Sequence, residues 1–296
     1  MTQYLFQQLV NGLALGSLYA LVAIGFSMIY GIVRLINFAH GDLVMIGAFT
    51  SLAMVVGGVP WPLILLFVLV VGAMAGVTIG AVIFRPLLGA PQVTGFIATL
   101  AVSIVIQNSA LMILTGQPRN FLFPAVMRER VTFGTVQASV TDLLIIGLTL
   151  VLIAGLFFVV YRTRLGVAMR ATAENLTAAR LMGVAVHRTI LAAFAIGSAL
   201  AATAGLLWGG KFGQIDPLLG FVPGLKAFVA CVIGGVGSIG GAMLGGYILG
   251  LAEVLFVGLL PQEFSGYRDS FVFGLLIVIL LLKPSGLFVR HVEERA

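Results

Sequence analysis

Apolar residues fill long uninterrupted runs in this chain, and polar residues gather in a few short places. No Asp, Glu, Lys or Arg occurs in residues 1–33, 43–84, 86–118, 189–210 or 227–252. A helix that spans a bilayer needs about 20 apolar residues, whereas a spanning strand shows about ten of alternating character. These runs are long and do not alternate, so they predict helices. Nine segments follow: 9–31, 43–57, 62–84, 94–115, 142–161, 188–210, 222–236, 240–259 and 269–283. Gly and Pro mark the breaks between them. Gly57-Gly58-Val59-Pro60-Trp61-Pro62 reads as a turn with an interfacial Trp, Arg85-Pro86 ends the third segment, and Lys283-Pro284 ends the last.

The second segment is short. Residues 43–57 give roughly 22 Å of helix at about 1.5 Å per residue, against a hydrocarbon core of about 30 Å. This segment is expected to be re-entrant or to extend back into the polar stretch before it. The fold class expected is an all-α integral membrane protein, a polytopic bundle of 8–9 transmembrane helices with interrupted or re-entrant segments. Small residues recur at helix-contact spacing, at Gly12/Gly16, Gly72/Gly76/Gly80, Gly237/Gly241/Gly245 and Gly246/Gly250. That spacing lets helix backbones approach closely in lipid, so the bundle is expected to be tight.

Composition agrees with a membrane solvent. Of 296 residues, 60% are hydrophobic and 9% charged, where a soluble domain carries about 25% charge. Residues 1–33 have no basic leader and are too long for a cleaved signal, so they are expected to remain as the first helix. The formal charge of +6 fits basic loops on the cytoplasmic side better than nucleic acid, for which no soluble basic domain exists. With 162–188 in the cytoplasm, that side collects ten basic residues: Arg34, Arg85, Arg162, Arg164, Arg170, Arg180, Arg188, Lys283, Arg290 and Arg295. The outer side collects five, Arg119, Arg128, Arg130, Lys211 and Arg268. Nine spans put the N-terminus outside; eight full spans plus an interrupted one would reverse it.

Most chemical motifs fail on context. Gly235-Val-Gly-Ser-Ile-Gly240 matches GxGxxG but joins two apolar helices and lacks the strand and acidic residue of a dinucleotide site. No GxxxxGK[ST] phosphate loop is present. His40, His187 and His291 are far apart and form no metal pattern, and the lone Cys231 excludes an internal disulfide and suits a small buried residue. No metal and no cofactor are expected in this chain.

The polar stretch is different. Residues 32–47 read IVRLINFAHGDLVMIG and place Arg34, Asn37, His40 and Asp42 between two apolar runs. A helix broken there frees backbone groups that only protein or a water-filled cavity can satisfy. Two readings stay open: the stretch borders a translocation path or gate, or its polar side chains cap helix ends at the cytoplasmic interface. Gln107 and Asn108 either line that path or hydrogen-bond between helices. Glu253 either pairs with a neighbour such as Lys226 or relays protons. The loop from Tyr161 to Arg188 holds a short helix over 173–183, with Leu176, Ala179 and Gly183 on one face. That helix docks on a partner or is a solvated linker.

Within this loop, Ala178-Ala179-Arg-Leu-Met-Gly183 resembles the E-A-A-x-x-x-G coupling pattern of ABC-importer permeases, with Thr177 where the glutamate would stand. YGIVRLINFAHGDLVMIGA (30–48), ATLAVSIVIQN (98–108), ENLTAARLMGV (174–184), GLKAFVACVIGGVGSIGGAMLGGYILGLAE (224–253) and RDSFVFGLLIVILLLKPSGLF (268–288) extend the match. In this order they resemble the LivH family of branched-chain amino-acid ABC permeases over nearly the full chain. The resemblance implies one transmembrane permease domain, 1–296, with a cytoplasmic coupling loop at about 162–188. Its partners would be a second related permease, two ATP-binding subunits that hold ATP and Mg, an external amino-acid-binding protein and membrane lipid. Glu174, Ala178, Ala179, Arg180 and Gly183 would couple to the ATPases. Arg119, Arg128 and Arg130 would dock the binding protein's acidic lobes, or simply be solvated. Asn37, His40, Asp42, Gln107 and Asn108 would belong to the substrate pathway or gate. The implied location is the cytoplasmic (inner) membrane of a prokaryote, and the implied cargo a branched-chain or other apolar amino acid. A proton-coupled secondary carrier, a passive channel and a urea- or amide-type ABC permease are the alternatives.

Overall fold

The computed structural model describes residues 2–133, 136–284 and 286–288. Arg290, His291 and Arg295 lie outside the described residues. The elements run α1 (Thr2–Val33), a 3-10 turn (Phe38–His40), α2 (Asp42–Val56), α3 (Trp61–Ile79) with a π-helical end (Gly80–Phe84), and α4 (Gln92–Leu114). Then come β1 (Arg119–Asn120), α5 (Ala125–Arg128), β2 (Arg130–Phe133), β3 (Val136–Ser139), α6 (Val140–Arg162), α7 (Arg164–Glu174) and α8 (Leu176–Leu181). The chain continues through α9 (Val186–Phe212), β4 (Gln214–Ile215), α10 (Phe221–Gly234), α11 (Ile239–Leu259), a second 3-10 turn (Gln262–Tyr267) and α12 (Arg268–Leu282). Among the described residues, eight helices are long and apolar enough to cross a membrane. α10, with 14 residues, is the short one.

α1 is the axis of the bundle. Its apolar span is 94% buried, while that of α12 is 6% buried, so the first helix is wrapped by protein and the last lies at the rim. Small residues explain the wrapping. A Cβ added to Gly16 would lie 2.9 Å from Tyr247 Cα, and one on Gly246 would lie 2.5 Å from Ala20 N. α1 and α11 therefore touch along their backbones. Gly72 and Gly76 do the same for α3 against α9, where added Cβ atoms would lie 3.0 Å from the Ser198 oxygen and 2.5 Å from the Phe194 oxygen. Gly245 seats α10 on α11, where an added Cβ would lie 2.9 Å from Gly234 N. Most of the small-residue rows seen in the sequence thus form seams within this one chain.

The two ends of the bundle differ. At one end, Gln7 Oε1 accepts from Gln137 N (3.1 Å), Tyr4 donates to the Gly258 carbonyl, and Lys211 pairs with Asp142. The short β1–β4 and β2–β3 ladders lie at that end. At the other end, Arg34 donates to the Ala173 carbonyl (3.4 Å), and a Cβ added to Gly31 would lie 3.2 Å from the Gly237 oxygen. The start of α1 is therefore on the face opposite α7 and α8. With that pair facing the cytoplasm, the N-terminal end faces outward, as the nine-segment count requires. The ladders are the departure from an otherwise helical expectation.

Candidate functional site

The polar stretch is a return, not a simple break. Arg34 ends α1 with φ 56°, in the left-handed region that strains a residue with a Cβ, and its N–H bonds back to Tyr30 O at 2.7 Å. The chain then folds back along α1 until His40 Nε2 lies 3.2 Å from Val22 O. Val22 precedes the end of α1 at Val33 by a rise of about 16 Å, at ~1.5 Å per residue. α2 consequently starts inside the bundle. Of the two expectations for this short segment, extension back into the polar stretch is the one observed: the apolar span runs from Phe38 to Val56.

α10 begins inside the bundle as well, because it pairs antiparallel with the longer α11 (14 against 21 residues). The N-termini of α2 and α10 meet at Gly41, Gly220 and Gly224. A Cβ on Gly224 would lie 2.7 Å from Gly41 Cα, so neither position has room for a side chain.

A cavity of about 30 Å3 lies at this junction, room for a couple of waters at roughly 10–15 Å3 each. Its polar wall is Asn37, His40, Asp42, Ser103 and Gln107; Phe26, Phe38, Leu100 and Phe228 supply apolar wall. Asn37, His40 and Asp42 are 2%, 1% and 2% exposed. Gln107 Nε2 donates to Asp42 Oδ1 at 2.9 Å and to Ser103 Oγ at 3.0 Å. Among the described residues, both amide atoms of Asn37, His40 Nδ1 and Asp42 Oδ2 have no hydrogen-bond partner. Such buried polar groups are costly unless something else satisfies them. Asn37 stands at the N-cap of the 3-10 turn without making a side-chain cap bond, so capping does not account for it. His40 does tie the return to α1 through Val22.

Asn108 does not join the cavity. It is exposed and donates to Ile104 O in its own helix at 2.8 Å. Sequence reasoning missed Ser103, four residues before Gln107 and so on the same helix face, and the glycines that bring the second helix N-terminus to the site. It also missed the ring cluster: Phe38 packs 4.9 Å from Phe96 and 6.1 Å from Phe228, and Phe26 lies 5.9 Å from His40.

Glu253 is paired. Its Oε1 accepts from Lys226 Nζ at 2.8 Å and Arg268 Nε at 3.0 Å, and its Oε2 from Tyr19 at 2.9 Å. Lys226 also meets Asp269 at 2.7 Å. These groups join α1, α10, α11 and the start of α12.

The loop at 162–188 forms two helices where one was expected over 173–183. Asn175 divides them, its side chain accepting from Thr177 N (3.0 Å) and Ala178 N (2.9 Å) as the N-cap of α8. Asn is a strong N-cap, so the chain restarts there. Glu174 closes α7, Ala178 and Arg180 are exposed, Ala179 is buried, and Gly183 ends the turn at φ 82°. Leu181 and Met182, which the sequence reading did not single out, are 82% and 84% exposed. Arg170 donates to Val160 O and lies 5.5 Å over the Tyr161 ring, fastening α7 to α6. At the opposite end Arg119, Arg128 and Arg130 are all exposed. Arg119 donates to Leu114 O at 2.7 Å and Arg130 to Gln137 Oε1 at 3.4 Å.

Apolar spans around a buried polar cavity, with two helices starting inside the bundle, define a multi-pass α-helical membrane protein built to pass a solute. The chain belongs to the family described as branched-chain amino acid transport system / permease component, whose model matches residues 8–281. It is 40% identical to the high-affinity branched-chain amino acid transport system permease protein BraD of Pseudomonas aeruginosa, over 98% of this chain and 97% of that one. It is 39% identical to LivH of Escherichia coli (strain K12), over 99% and 98%. The probable branched-chain amino acid transport permease protein LivH of Methanocaldococcus jannaschii is 30% identical over 92% and 88%. No solved structure matches the chain.

Proposed function

We propose that this permease imports branched-chain or similar apolar amino acids across the cytoplasmic membrane of a prokaryote. A second related permease, two ATP-binding subunits carrying ATP and Mg, and an external amino-acid-binding protein complete the transporter. One observation carries the pathway reading: unpartnered polar atoms of Asn37, His40 and Asp42 converge with aromatic rings on a cavity where two helices begin inside the bundle. Polar groups suit a zwitterionic head and the rings an apolar side chain. The full-length similarity to BraD and LivH supports the cargo class. ATP-driven switching would reach this site through α7 and α8, and Glu174, Ala178, Ala179, Arg180 and Gly183 are placed on or beside the exposed tip that would meet an ATPase.

Leucine uptake into proteoliposomes holding all these components tests the reading. Uptake should require both ATP and the binding protein. Uptake by this chain alone under a proton gradient would replace it with the secondary-carrier reading, for which Asp42 is the open acid, since Glu253 is held on both oxygens. Competition by urea or amides but not by valine would move the cargo to the urea type. In the same assay, the Asn37→Ala/His40→Ala variant should lose at least tenfold in uptake, about 1.4 kcal/mol or more. Normal uptake by an assembled complex would remove the pathway reading.

The exposed arginines Arg119, Arg128 and Arg130 support docking of the binding protein, since complementary charge steers such encounters. Changing all three to Glu should weaken that protein's affinity for the complex about tenfold at low salt. An unchanged Kd would leave them as solvated loop charges.

A further inference from the structure

The cavity between the α2 and α10 N-termini is covered on its remaining side by α4. A Cβ on Gly95 would sit 3.0 Å from Leu35 Cδ2, and Phe96 packs on Phe38. Thr99 Oγ1 donates to Ile36 O at 3.1 Å and accepts from Phe38 N at 3.3 Å. Gln107 completes the seam at Asp42. Much of the rest of α4 is exposed, so this seam is its main attachment to the bundle.

Asp42 holds a buried carboxylate whose lining neighbours include no Lys or Arg. Its side-chain partners are neutral, the Gln107 amide at Oδ1 and the Ser103 hydroxyl, and among the described residues no cation pairs with it. An ammonium adds to such a hydrogen bond a Coulomb attraction for the carboxylate that a neutral amide lacks. On the same cavity, both atoms of the Asn37 amide lack a partner among the described residues, and the α2 and α10 N-termini, whose partial positive charge favours an anion, meet at the same corner, with Asp42 in the first turn of α2. The cavity therefore offers an acceptor for an ammonium, a donor for a carboxylate, and rings for an apolar side chain. At about 30 Å3 it is far below the roughly 300–1,000 Å3 of ligand-filled pockets, too small to hold an amino acid without widening.

We propose that this cavity is the binding site for the amino-acid head group: the substrate ammonium displaces Gln107 from Asp42, the carboxylate bonds Asn37, and α4 moves off the seam to admit it. The proposal rests on the corner being the transport path, and adds which group reads the ammonium and which helix opens.

The test uses the complete reconstituted transporter and leucine. A Cβ built on Gly95 lies 3.4 Å from Leu35 Cβ, close to the roughly 3.5–4.5 Å span of a disulfide. A Leu35→Cys/Gly95→Cys pair should therefore lock α4 shut on oxidation. The native Cys231 is buried elsewhere in α10. Uptake should fall at least tenfold when the pair is oxidised and return on reduction. Undiminished uptake with the crosslink formed overturns α4 as the door. Asp42→Asn keeps an acceptor for Gln107 but removes the charge, and should cut uptake at least tenfold while ATP hydrolysis continues. Wild-type uptake by Asp42→Asn overturns the ammonium site, and it decides the matter if the cysteine pair does not assemble. Either result can coincide with loss of uptake in Asn37→Ala/His40→Ala, so failure of this proposal is distinguishable from failure of the pathway itself.

Discussion

Replacing Lys226 by Met is expected to lower the stability of the purified chain by about 3 kcal/mol, near the lower end of the range for breaking a buried ion pair. Lys226 and Glu253 are each 1% exposed, and the ammonium is shared between Glu253 and Asp269. Removing it leaves Glu253 with Tyr19 and with Arg268, whose half-exposed guanidinium compensates part of the loss. The double variant Lys226→Met/Glu253→Gln should recover much of the stability, because an apolar or neutral replacement of both charges avoids an uncompensated carboxylate. Thermal unfolding in detergent reads both. An unchanged midpoint for Lys226→Met would mean that this network does not hold α12 to the bundle.

The second large effect is expected at the tip of the α7–α8 pair. Leu181 and Met182 are the most exposed apolar side chains of that pair and flank the turn that Gly183 closes. Exposed apolar groups beside a rigid turn suit a docking contact. Changing both to Glu should reduce ATP-dependent uptake at least tenfold, with no change in the unfolding midpoint, since neither side chain is in the core. Uptake at the normal rate would remove this tip as the contact for the proposed ATP-binding subunits.

Much of this architecture was legible because charge is expensive in lipid and therefore punctuates the chain. The charge-free runs located the spans, and the placement of Arg and Lys separated the two ends. Glu253 could be matched to Lys226 because a buried acid needs a buried base. The fold-back at Arg34 was not legible: its positive φ belongs to a residue with no local preference for it, and only packing on Val22 and the second helix N-terminus explains it. Asn175 split one expected helix into two, although its capping chemistry was present in the sequence. Gln107 and Asn108 are adjacent and chemically alike, yet about 100° of helix rotation sends one to Asp42 and the other outward. Which face turns inward depends on neighbours that a single sequence does not supply.

The seams along α1 and α9 carry a consequence for reading variants of this chain. Gly16→Leu, Gly72→Leu or Gly246→Leu would each raise the hydropathy of its span and improve its score as a membrane helix. Each would also drive a side chain into a neighbouring helix where the clearance to a Cβ is 2.9 Å or less. The most damaging changes in such a protein are thus ones that insertion energetics favour. A tally of tolerated substitutions should show the intolerance following side-chain volume rather than polarity along these lines.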